Sequence, residues 1–110
     1  MSRPDKVLNL LGLAAKGRNV VSGEFAVEKA VKSGQAYLVI TAGDASENAK
    51  KNYRNLCEYY EVDLKTYSDK DGLGRAIGKE QRVAVAVTDP GLARSLENQI
   101  SNTEVEYGEN

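Results

Sequence analysis

The sequence contains no histidine and no tryptophan, and it has a single cysteine, Cys57. Without histidine, the chain lacks the usual general base, most zinc ligand sets and every Ser-His-Asp or Cys-His catalytic arrangement. One cysteine excludes an intramolecular disulfide. No apolar run approaches the roughly 18–20 residues of a transmembrane helix, and no apolar stretch typical of a secretion signal follows the N-terminus. We therefore expect a cytoplasmic protein with no membrane contact and few of the groups that enzymes use.

The chain of 110 residues is 41% hydrophobic and 28% charged, which is typical of one globular domain. Residues 1–35 carry six basic and three acidic side chains, residues 36–82 carry eight of each, and residues 83–110 carry one basic and five acidic. Local charge governs ligand binding, so the basic first third is compatible with a nucleic-acid site. We expect a domain over residues 1–100 and a flexible acidic tail over residues 101–110.

Apolar spacing predicts helices that alternate with strands. Two continuous apolar runs, 36–41 and 82–88, are typical of central strands that are covered on both faces. The pattern predicts an α/β fold with a mixed, mostly parallel sheet between helical layers. The predicted helices start at Asp5, Gly23, Asp44 or Ser46, Lys70 and Pro90, and the shorter strands lie at 19–21 and 64–67.

The glycine-rich segment 72–78 does not match a nucleotide-binding loop. Its last two glycines, Gly74 and Gly78, are four residues apart, where the dinucleotide fingerprint needs three, and no Gly-Lys-Ser/Thr follows. We interpret Gly74 as a site of close packing on a short helix, and Gly78 as the residue that ends this helix with a positive φ.

Four aspartates and the cysteine invite a chemical interpretation, but each has a simpler structural one. Asp44, Asp69, Asp71 and Asp89 lie near predicted helix starts, where carboxylates cap backbone N–H groups. Capping is favoured over a metal cluster, so no metal is predicted. Cys57 falls on an apolar helix face and is expected to pack as a small hydrophobic residue.

The segment 16–29 runs from a helix through a short strand into a second helix. Gly23 places no side chain at the entry of that helix, so a ligand can approach the backbone closely. Arg18, Lys29 and Lys32 are expected to flank it. This is a plausible docking site for an anion or a nucleic acid. The alternative is an ordinary helix that is capped by Ser22.

Five stretches occur in an order and spacing that resemble the kink-turn-binding ribosomal protein family of the L7Ae and L30e type, and most closely its bacterial YlxQ-like subgroup. The resemblance covers roughly residues 5 to 98. It implies a three-layer α/β/α sandwich with a mixed four-stranded sheet, and a non-enzymatic RNA-binding protein without a cofactor. The stretches are Leu11–Ala14, Val20–Gly23, Ala36–Ser46, Leu73–Gly78 and Val83–Asp89.

The resemblance also implies a binding site at the start of the second helix. In the family this helix start enters the groove at tandem G·A pairs, through Gly, a variable residue, Asn or Lys, Glu or Gln, two variable residues and Lys. Gly23 and Lys29 match the pattern, but Phe25 and Ala26 replace the two polar residues and have no side-chain donor or acceptor. Losing two base-edge contacts would cost roughly 2–6 kcal/mol. Glu24 adds a negative charge to the same surface.

Further contacts follow from the same resemblance. Lys16, Arg18, Lys29 and Lys32 are expected to neutralise phosphates. The loop before the last helix, Thr88-Asp89, is expected to cover a flipped, bulged nucleotide. Structured RNA, either a kink-turn or ribosomal RNA, is the expected ligand, and the resemblance leaves open an association with the ribosome.

Two alternatives remain from the sequence. The exposed apolar pair Phe25-Ala26 is compatible with a protein-interaction module on the same fold. A small nucleotide-handling enzyme is less well supported, because the chain lacks histidine, a phosphate loop and a clustered acid pair. In the absence of a long heptad pattern, we expect a monomer.

Overall fold

A computed structural model describes the backbone of residues 5–108 and the side chains of residues 5–103. Within that range, helices alternate with strands as the apolar spacing predicts. In chain order, the elements are α1 (Lys6–Lys16), β1 (Val20–Ser22), α2 (Glu24–Lys32), β2 (Leu38–Thr41), α3 (Glu47–Tyr59), β3 (Asp63–Thr66), α4 (Lys70–Ala76), β4 (Ala84–Val87) and α5 (Pro90–Gly108).

Side-chain caps fix the start of four of these helices. The side-chain oxygens of Asp5, Ser46, Asp69 and Asp89 each accept a hydrogen bond, of 2.7–3.1 Å, from the backbone N–H three residues later. These bonds satisfy groups that have no partner within the helix. Ser46, not Asp44, therefore caps α3, while Asp44 accepts a 2.8 Å bond from the first N–H of α4. The capping interpretation of Asp69 and Asp89 is confirmed.

The strands form a mixed four-stranded sheet in the order β1-β4-β2-β3. The mixed sheet is confirmed, but the prediction that it is mostly parallel is wrong. Only β2 and β3 pair in parallel, whereas β4 is antiparallel to both β1 and β2. The first three strands share one direction, as alternating helices and strands favour. The fourth strand enters between β1 and β2 in the opposite direction.

A fold-back of the chain after α4 explains the reversed direction of β4. The backbone N–H of Lys79 donates to the Gly74 carbonyl at 2.8 Å, and that of Arg82 donates to the Lys70 carbonyl at 3.0 Å. The segment therefore returns along α4 to the end of the sheet at which β3 stops, and β4 begins there. A methyl group at Gly74 would overlap the Glu80 carbonyl. Only glycine permits this approach, which confirms the predicted close packing.

Helices cover both faces of the sheet, so the three-layer sandwich is confirmed. Both apolar runs form central strands, and all residues of β2 and β4 are buried. On one face, Leu38 and Ile40 pack with residues of α1, α4 and α5. On the other face, Val39 packs with residues of α2 and α3. Each fully buried aliphatic side chain contributes about 1.5–3 kcal/mol to stability.

The last helix is longer than the sequence predicts. It runs to Gly108, so the backbone of residues 101–108 is helical, and the flexibility of the acidic tail stays a prediction. The apolar period ends at Ile100, which removes the sequence signal, but adding residues to an existing helix is far easier than starting one. Glu109 and Asn110 lie outside the described residues. None of the helices in residues 5–108 is long and apolar enough to cross a membrane.

The fold-back predicts that Gly74→Ala is strongly destabilising. The added methyl must displace the backbone at Glu80, which is not a flexible side chain. We expect a loss of about 3 kcal/mol in the free energy of unfolding, measured by urea denaturation. Gly91→Ala is the matched control, because its methyl would lie 3.3 Å from a side-chain oxygen of Asp89, the cap of α5, which needs to shift by only a few tenths of an ångström. Equal stability of the two variants would contradict the packing assigned to Gly74.

Candidate nucleic-acid interface

The start of α2 is open, as the sequence predicted. Gly23 is the N-cap residue with φ +93°, a conformation that favours glycine, and no side chain caps the helix. The alternative that Ser22 caps this helix is therefore wrong. The Ser22 Oγ instead accepts a 3.0 Å hydrogen bond from Nε of Arg82.

The Arg82–Ser22 hydrogen bond joins the start of α2 to the loop between α4 and β4, residues 77–83. Arg82 also donates from Nη1 to the Gln81 carbonyl at 2.9 Å, which holds its guanidinium against the loop. Ser22, the last residue of β1, pairs with Val85 of the neighbouring strand β4. The loop before β4 therefore lies at the same end of the sheet as Gly23. Sequence reasoning missed these loop residues. The sequence predicted that Gly74 packs closely and that Gly78 ends the short helix, but the loop can be placed only once β4 is known to lie beside β1.

Thr88 and Asp89 lie at the opposite end of β1. The Thr88 N–H donates to the Asn19 carbonyl at 2.8 Å, and the carboxylate of Asp89 caps α5. Two residue steps separate the ends of β1, or about 7 Å along the strand. The structure therefore does not bring the loop before the last helix to the start of α2.

The four basic residues that were predicted to contact phosphates also lie in two places, one at each end of β1. Lys16 ends α1, and Arg18 follows it with φ +63°, so both precede β1 and lie near Asn19 rather than Gly23. Lys29 and Lys32 follow along α2. The Lys32 Nζ lies 3.2 Å from Oε1 of Glu28, whereas Lys29 has no ion pair among the described residues. Lys29 is therefore the cation of α2 that is available to a ligand.

The first turn of α2 presents little hydrogen-bonding capacity from its side chains. Phe25 is 83% exposed, and Ala26 is half-buried. Glu24 is exposed and contributes a carboxylate. A ligand at this turn therefore meets a bare aromatic ring, one negative charge and the backbone.

Tyr53 and Cys57 of α3 lie beneath α2 in the core. Burial is the main cause that raises the pKa of Tyr53 to about 12, and the carboxylates of Glu24 and Glu28 add to the rise. Burial also raises the pKa of the Cys57 thiol to about 11. The cysteine is buried, as predicted, and a protonated thiol is a poor nucleophile.

Metal ligands do not gather at this surface. In the part of the chain that the structure describes, no three His, Cys, Asp or Glu side chains could hold a metal ion together. Asp71 pairs with Arg75 one turn along α4.

Comparison with known proteins places the chain in a family. Residues 5–97 match the model of the ribosomal protein L7Ae/L30e/S12e/Gadd45 family. The chain belongs to this family. The RNA-binding protein YlxQ of Bacillus subtilis (strain 168) is 49% identical over 87 residues, which cover 79% of this chain and 87% of that protein. The RNA-binding protein YlxQ of Enterococcus faecium is 32% identical over 95 residues, which cover 86% and 91%.

Solved structures of L7Ae-type architecture agree with the fold. A protein of unknown function from Bacillus halodurans C superimposes with a TM-score of 0.86 at 43% identity, covering 89% of this chain and 99% of that one. The Giardia lamblia 15.5kD RNA binding protein superimposes with a TM-score of 0.72 at 24% identity, covering 90% and 85%. The second likeness shows the fold alone. The predicted membership of the L7Ae-type family and its YlxQ-like subgroup is confirmed.

The raised pKa of Tyr53 leads us to predict how the free energy of unfolding changes at alkaline pH. The unfolded chain loses the tyrosine proton near pH 10, while the folded protein holds it to about pH 12. The stabilising effect of this proton is complete below pH 10 and is lost as the pH rises through 12. Between pH 9 and 11, we expect wild type to lose about 1 kcal/mol more unfolding free energy than Tyr53→Phe.

Urea denaturation at the two pH values measures this difference. Tyr59→Phe, at a ring that is 80% exposed, is the matched control and should follow wild type. A Tyr53→Phe variant that lost as much stability as wild type would contradict the assigned cause.

Proposed function

We propose that this protein binds structured RNA of the kink-turn type through the start of α2 and the loop after α4. The observation that carries the proposal is the hydrogen bond between Arg82 and Ser22, which holds the two segments at one edge of the sheet. Family membership and the names of the two YlxQ relatives support RNA as the ligand.

The geometry suits recognition of shape more than recognition of sequence. Gly23 lets a nucleic-acid backbone or base edge approach the first turn of α2, where the free N–H groups carry a partial positive charge. One turn further on, Lys29 supplies a cation that has no ion pair among residues 5–103. Sharply bent RNA presents both a widened groove and closely spaced phosphates to such a surface.

Binding without catalysis is part of the proposal. The chain has no histidine, and its cysteine is buried and protonated at neutral pH, so the site has no evident nucleophile or general base. A cytoplasmic location is included because the ligand is an intracellular RNA. Ribosomal RNA is one source of such motifs, and sedimentation with ribosomes at low and high salt would test that association.

A salt titration against three RNAs tests the proposal. The first RNA is a hairpin with a three-nucleotide bulge followed by tandem G·A pairs. The second replaces the G·A pairs with Watson–Crick pairs, and the third is a plain duplex of equal length. We expect the first to bind most tightly at every salt concentration. Equal, strongly salt-dependent binding to all three would reduce the interaction to phosphate contact and overturn the proposal.

Lys29 provides the quantitative prediction. Lys29→Gln should weaken binding to all sequences alike and reduce the slope of log K against log salt by about 0.9. Arg94→Gln is the matched control, because Arg94 is an exposed cation on α5, across the sheet from α2. An equal loss of slope in both variants would mean that the RNA does not distinguish the two faces.

A further inference from the structure

The exposed ring of Phe25 is unexplained by packing. It is the chain's one phenylalanine and is 83% exposed at the second residue of α2. Its neighbours along the same helix, Val27, Ala30 and Val31, are buried in the core. Phe25 therefore points away from the fold, at the edge of the surface assigned to RNA.

A cleft forms beside this ring. Its volume is about 360 Å³, and it is lined by Phe25, Glu28, Lys29, Lys32 and Ser33. All five of these residues belong to α2 or its C-cap, so the cleft is a shallow, open depression on the outer face of one helix. Lys29, four residues after Phe25, lies on the same side of the helix, because such pairs are neighbours on a helix surface.

The chemistry of this cleft matches a nucleotide. A phenyl ring cannot hydrogen-bond to a base edge, but it can stack on a base face, and every base has one. A stacked base carries its own phosphate within one nucleotide's length. Lys29 has no ion pair among the described residues and lines the same depression as Phe25, so its ammonium group is available to that phosphate.

The surroundings favour a base over a protein partner. The centre of a protein interface is depleted of charge and rich in apolar groups. Here the other exposed side chains of α2 are all charged: Glu24, Glu28, Lys29 and Lys32. Because Glu28 pairs with Lys32, the Lys29 ammonium group is the one in α2 that can contact the phosphate of an aromatic ligand.

We propose that Phe25 stacks on an unpaired nucleobase of the bound RNA while Lys29 contacts the adjacent phosphate. The proposal rests on the proposed function and adds the feature that the site reads. A stacking contact takes the place of hydrogen bonds from side chains at positions 25 and 26.

The test uses the bulged hairpin with tandem G·A pairs, with 2-aminopurine placed at each bulge nucleotide in turn. Stacking on Phe25 should change the fluorescence at one position with wild-type protein, and not with Phe25→Ala. Phe25→Ala should weaken binding about 5- to 100-fold, and Phe25→Trp should retain it. Tyr59→Ala is the matched control, because Tyr59 is an 80% exposed aromatic at the far end of α3.

An abasic nucleotide at the responding position completes the design. With that RNA, wild type and Phe25→Ala should bind equally, because the stacking partner is gone. An equal loss for Phe25→Ala on intact and abasic RNA would overturn the stacking contact. Thermal melting checks that Phe25→Ala is folded. We expect it to be folded, because the ring is exposed and packs against little of the core.

The outcomes separate the two proposals. If Phe25→Ala binds as wild type while Lys29→Gln shows its reduced salt slope, the RNA function stands and the stacking contact is overturned. If wild type binds none of the RNAs, both are overturned. A protein partner that survives nuclease treatment and is lost with Phe25→Ala would assign the ring to protein binding instead, and would also overturn the proposal.

Discussion

The fold-back of the chain against Gly74 is the constraint on which the rest of the structure depends. Because residue 74 has no side chain, the Glu80 carbonyl can lie against α4 and the chain can return to the edge of the sheet that it left. That return sets the direction of β4, which fills the gap between β1 and β2. It also carries Arg82 to Ser22, so the packing of one glycine determines which loop borders the candidate site.

Local signals in the sequence predicted most of the elements and both central strands. Caps at Asp5 and Ser46, and the apolar runs that form β2 and β4, depend on residues close together in the chain. The order of strands depends on contacts between residues far apart, such as Ser22 and Arg82. For that reason, the mixed sheet was predicted from the alternation of elements, but the placement of β4 was not.

The same distinction explains what was missed at the site. Gly23 and Phe25 belong to one continuous segment, so their common position at the start of α2 could be predicted from the sequence. Thr88 was grouped with them by resemblance, but the antiparallel register of β1 and β4 places it beside Asn19. The loop after α4 lies at the start of α2 instead. Its residues carry no local signal of this position, because the position arises only when the sheet has formed.

The position of β4 has a consequence for synthesis of the protein. It is the last strand within residues 5–108, yet it lies inside the sheet and pairs with strands on both sides. A nascent chain that ends before residue 84 has β1 on one side and β2 with β3 on the other, with unpaired backbone groups facing the gap. The layered core can therefore close only when β4 has left the ribosome.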